Sequence, residues 1–139
     1  MAFIDIFNGD ADGICALIQL RLAAPRDSRL VTGVKRNIAL LGSTDIEAGD
    51  ELTVLDISLD KNRQPLCRAL EAGARCLYVD HHFAGDIPDN PNLQTIINTA
   101  PDVCTSILVN GHLQGAFVGW AVVGAFGDNL NNSASLLAR

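Results

Sequence analysis

The chain of 139 residues is 48% apolar and 19% charged, long enough to bury a core as one domain and too apolar for a disordered chain. Ten basic residues against 16 acidic ones leave a formal charge of −6. That balance excludes a broad surface for coating nucleic-acid phosphates, so any phosphate partner needs a local attraction, which bound cations supply by reversing the sign of an acidic cluster.

Phe3 to Phe7 predicts a short strand, and Gly13 to Ala24 predicts a helix with Ile14, Leu17, Ile18 and Leu22 along one side and Pro25 as its stop. Leu30 to Val34 predicts a second strand, and Lys35 to Asp50 a short helix plus loop. Glu51 to Ile57, ELTVLDI, is a clear strand signal; the helix after it carries Leu66 and Leu70 and stops at Gly73. Arg75 to Val79 predicts a strand ending at Asp80, Ile87 to Asn92 a surface loop, and Leu93 to Ile97 a further strand. Asp102 is a candidate cap for a helix beginning near Val103, and a last apolar helix is expected over Ala116 to Phe126.

Strands alternating with helices in this way predict one α/β domain over 1–139, with an open, mainly parallel, Rossmann-like sheet and helices on both faces. Cys15, Cys67, Cys76 and Cys104 form no C-x-x-C pair and sit among apolar neighbours, as buried free thiols of a reducing compartment do. Asp5, Asp10 and Asp12 stand where a signal peptide needs basic residues, and Gly115 to Phe126 is too short to span a bilayer. A cytoplasmic protein with no membrane partner is expected.

In open α/β sheets ligands sit at the carboxyl ends of the strands, and the acidic residues gather there. Asp10 and Asp12 follow the first strand, Asp56 ends ELTVLD, and Asp80, His81 and His82 end RCLYVDHH. Asp128, in AFGDN, reaches that edge only if the last helix folds back over it. Carboxylates with imidazoles suit Mn²⁺ or Mg²⁺ better than structural zinc, and a two-metal centre that clamps a phosphoryl group is the economical reading.

Competing readings fit less well. Asn8, Asp10 and Asp12 also match the first half of an EF-hand loop, but Gln19 stands where the bidentate Glu is needed. An Asp-x-Asp after a first strand is shared with haloacid dehalogenase-type phosphatases, yet Ile14 occupies the position of their Thr or Val. Asp56 and Asp128 taken singly are ordinary turn or helix-end residues, and the NGDADG turn by itself a polar connection. Thr105 and Ser106 either cap and pack at a helix start or offer that start to a phosphate. His112 reads as a surface residue, and Lys35 and Arg36 as a solvated pair with a lesser claim on an anionic substrate.

Taken together, GDADG, VLDIS, VDHH and AFGDN resemble, in order, the four motifs of the DHH phosphoesterase family, which includes RecJ-like exonucleases and exopolyphosphatase-related enzymes. The similarity runs from about Phe3 to Leu130. It implies that Asp10, Asp12, Asp56, His81 and Asp128 are ligands of two Mn²⁺ ions, with Asp56 bridging and Mg²⁺ the alternative. It further implies that His82 faces the substrate phosphate as a catalytic group, that Asp80 orients the histidines from behind, and that a metal-activated water attacks phosphorus. Asn8 departs from the His or Asp that many members carry before the first motif carboxylate.

The implied activity is hydrolysis of a phosphodiester, phosphomonoester or phosphoanhydride in a nucleotide, short oligonucleotide or polyphosphate. The rival expectation is a noncatalytic metal- or nucleotide-binding module, and a third is a purely structural interaction domain. Family members usually continue into a DHHA1-type domain that closes over the centre, whereas this chain ends at Arg139. Two expectations follow: an N-terminal piece that is inactive alone, or a short relative that builds its substrate site by self-association through Ala116 to Phe126.

Overall fold

A computed structural model of the chain describes residues 1–34 and 39–139. Five parallel strands, β1 (Phe3–Asn8), β2 (Ser28–Gly33), β3 (Glu51–Leu55), β4 (Arg75–Asp80) and β5 (Leu93–Ile97), form one open sheet in the order β2-β1-β3-β4-β5. Helices α1 (Ala11–Ala23), α2 (Leu59–Glu71), α3 (Thr105–His112), α4 (Val118–Gly127) and α5 (Asn131–Leu137) flank it.

The period-two alternation of the strands explains why both faces are covered. Ile4, Ile6, Leu52, Val54, Cys76 and Tyr78 point to one face, where they pack with Leu59, Leu66 and Leu70 of α2 and with Leu40 and Leu41 of a 3-10 turn, Leu40–Ser43. Phe7, Leu55 and Val79 point to the other, against Ala16, Leu17 and Leu20 of α1 and Val109 of α3. The α/β architecture with helices on both faces is therefore as the sequence predicts.

β1 leads through α1 to β2 on one side, while β3 lies on its other side, so the carboxyl ends of β1 and β3 flank a point where the strand order reverses. Side chains on the two loops that leave these strands meet in that crevice.

Several boundaries differ from the sequence reading. α1 starts at Ala11, with Asp10 as its cap, rather than at Gly13. Its buried side is Asp12, Cys15, Ala16, Leu17, Gln19 and Leu20, whereas Ile14 and Leu22 are exposed, because α3 and α4 pack on it as well as the sheet. β2 begins at Ser28, two residues before the expected Leu30, and β3 ends at Leu55 because Asp56 leaves the extended region. α3 is capped at Cys104 rather than Asp102, and α5 was not foreseen.

Lys35 and Arg36 lie outside the described residues. The four cysteines are free thiols, three of them buried. Among the described residues no helix is long and apolar enough to cross a membrane.

Candidate metal centre

Asp10 and Asp12 owe their place to the turn between β1 and α1. Asp10 Oδ1 accepts the Gly13 amide at 2.9 Å, an N-cap, and Gly13 lets the helix start so close to β1 that any Cβ there would collide with the Asn8 carbonyl oxygen. Asp12, in the first helical turn, is fully buried against α3. Its carboxylate accepts the Thr105 amide at 3.0 Å and the Ser106 amide at 2.7 Å, while the Ser106 hydroxyl donates to the Asp12 carbonyl at 2.8 Å.

Thus the anion held at the start of α3 is the chain's own Asp12 carboxylate, and Thr105 and Ser106 are both fully buried. Sequence reasoning missed the support behind this clamp. Buried Gln19 donates from Nε2 to the Ser106 carbonyl at 3.1 Å, a role signalled only by a Gln among apolar residues. Burial pushes the Cys104 thiol pKa up, and the nearby Asp12 charge adds to the effect.

Asp56 sits one residue past β3 with a left-handed backbone, φ +64, in a region that costs a non-glycine residue about 1–3 kcal/mol and is concentrated at functional sites. The Val79 carbonyl accepts the Asp56 amide at 3.0 Å, and Asn8 Nδ2 donates to the Asp56 carbonyl at 3.2 Å. The Thr105 hydroxyl donates to Asp56 Oδ1 at 3.1 Å. Burial, then the Asp12 and Asp10 charges, then a hydrogen bond with Asp10, raise the Asp56 pKa to about 10.

His81, just past β4, connects these groups. Its Nε2 lies 3.1 Å from Asp56 Oδ1, 3.6 Å from Asp12 Oδ2 and 3.7 Å from Asp128 Oδ2. Asp128 arrives because α4 does fold back over the edge: it packs on α1 and α3 and ends at Asp128, whose amide donates to Gly124 and Ala125 carbonyls. His82 bonds through Nδ1 to Asp80 Oδ1 at 2.6 Å, and that hydrogen bond is the chief reason its pKa is raised.

Two overlapping donor sets result. Asp12, His81 and Asp128 offer ligand atoms within 4.8 Å of one another, as do Asp56, Asp80, His81 and His82. Asp10 falls in neither set and bears on the centre through its hydrogen bond with Asp56. Asn8 Oδ1 and Asp80 Oδ2 are buried without a hydrogen-bond partner among the described residues, and a cation is the kind of group that satisfies such oxygens. The donors are carboxylates and imidazoles, which fits a hard divalent ion.

No protein-family model matches the chain, and no curated protein matches it.

Proposed function

We propose that the chain is the metal-binding domain of a manganese-dependent phosphoesterase of the DHH type, hydrolysing a phosphate ester or anhydride of a nucleotide, short oligonucleotide or polyphosphate. The observation that supports this reading is the meeting of Asp12, Asp56, His81 and Asp128, from four separate segments, at the crevice where the strand order reverses. Divalent ions bound there would supply Lewis acidity to the phosphoryl oxygens and lower the pKa of water.

The chain's own residues divide the remaining work. Asp10, Asp12, Asp56, His81 and Asp128 would hold the ions, Asp10 standing next to Asp56 through their hydrogen bond, and Asp56 Oδ1 lies 3.1 Å from His81, the residue that both donor sets share. The amides of Thr105 and Ser106 fix the Asp12 carboxylate. Asp80 occupies His82 Nδ1, so Nε2 is the ring nitrogen left to donate to a phosphate oxygen on which charge develops.

Release of p-nitrophenol from bis(p-nitrophenyl) phosphate tests the proposal. Hydrolysis should require Mn²⁺ and vanish in Asp56→Ala. A chain that binds Mn²⁺ yet hydrolyses neither this ester nor pyrophosphate is a noncatalytic binding module instead.

A further inference from the structure

We infer that Phe83 is the stacking platform for the base of a nucleotide substrate, an assignment that rests on the phosphoesterase reading of the adjoining centre. Exposure rises in steps along the loop that leaves β4. The side chains of Asp80, His81 and His82 are 1%, 18% and 43% exposed, and Phe83 is 72% exposed. Phe83 is thus the first exposed aromatic residue along the chain after the buried donors, where a substrate extending outward from them would meet it.

The loop that presents the ring is held by its backbone. The Ser58 hydroxyl donates to the Phe83 carbonyl at 3.4 Å. Arg63 donates from Nη2 to the Ala84 carbonyl at 2.7 Å and from Nε to the Asp86 carbonyl at 2.8 Å, and is itself braced by Asp60 at 2.9 Å. Ser58 lies only two residues past Asp56, so Phe83 is tied to two of the segments that carry the centre, those that follow β3 and β4.

Ala84, the next residue, is buried, and Phe83 is the exposed aromatic side chain of this pinned segment. An aromatic side chain, with two rotatable bonds on a fixed backbone, loses little conformational freedom when a flat partner stacks on it. The Cα of Phe83 is at most about 7 Å from that of His81 along the extended chain, so a group bound to the centre by its phosphate keeps its other end within reach of the ring.

Every nucleobase has a π-face, whereas inorganic polyphosphate has none, so the platform selects base-bearing phosphates without selecting among bases. Within the proposed range, nucleotides and short oligonucleotides are therefore the class that the platform favours over polyphosphate.

The test is calorimetric titration of the Mn²⁺-loaded chain with AMP and with ribose 5-phosphate, which carry the same sugar phosphate with and without a base. Wild type should bind AMP about tenfold tighter. Phe83→Ala should erase that difference while leaving ribose 5-phosphate affinity unchanged, and Phe83→Trp should restore it. Equal affinities in wild type, or a base preference that survives Phe83→Ala, would overturn the platform while leaving the phosphate site standing. If neither ligand binds a chain that has taken up Mn²⁺, the phosphoesterase reading fails and the platform with it.

Discussion

His81 Nε2 stands 3.1 Å from Asp56 Oδ1, and Asp56 holds that position with a left-handed backbone at φ +64. A buried carboxylate beside Asp12 and Asp10 holds its proton in the metal-free chain, with a pKa raised to about 10. The folded value lies above the unfolded one, so the associated stability is complete below about pH 4 and is lost progressively as pH rises toward 10.

The metal-free protein should accordingly lose several degrees of Tm between about pH 5 and about pH 8, and Asp56→Asn should flatten that slope. Scanning calorimetry in chelator measures it. Mn²⁺ should reverse the trend, because the ion takes the place of the proton and binds better as pH rises.

Gly124 of α4 lies so close to α3 that a Cβ there would overlap the Ser106 side chain, and Ser106 in turn holds Asp12. Gly124→Ala should cost about 1–3 kcal/mol by overpacking. It should also weaken Mn²⁺ binding more than Ser106→Ala, which removes only the hydroxyl bond to the Asp12 carbonyl at a cost of about 1 kcal/mol. Urea unfolding with a parallel Mn²⁺ titration separates the two effects.

The hydrogen bond between Asp80 and His82, 2.6 Å long, fixes the imidazole that is proposed to meet the phosphate. Asp80→Asn should lower kcat for bis(p-nitrophenyl) phosphate by about 10- to 100-fold, the usual cost of losing an orienting partner. His82→Ala should lose at least as much.

Asp5 is fully buried in β1 and is paired by Arg21 at 2.8 Å and 3.1 Å and by the Ser28 hydroxyl at 2.6 Å. Removing its cation strands a buried carboxylate, so Arg21→Ala should destabilise the chain by about 3–5 kcal/mol. Because this network involves none of the centre's donors, Mn²⁺ stoichiometry in the folded fraction should not change, as equilibrium dialysis would show.

What was legible in the sequence was what local patterning specifies. Strand periodicity placed β1, β3, β4 and β5 within a few residues, and the position of Asp10, Asp12, Asp56 and Asp80 to His82 after strands foretold that they share one edge. What was not legible depends on packing between distant elements. The apolar side expected for α1 holds only in part: Leu17 is buried, but α3 and α4 pack over Cys15, Ala16 and Gln19 and leave Ile14 and Leu22 exposed. Nothing local marks the α3 amides as already committed to Asp12, a contact between residues 93 and 94 positions apart. The left-handed turn at Asp56 likewise has no signal in a strand that reads smoothly through Ile57.

Calorimetric titration of metal-free protein with Mn²⁺, comparing wild type with Asp56→Ala, tests for the dinuclear centre directly. Two ions should bind wild type, as a dinuclear phosphoryl-transfer centre requires, and the variant should lose at least one site. Failure of wild type to bind Mn²⁺, or an isotherm unchanged by the substitution, would contradict a metal centre built on Asp56.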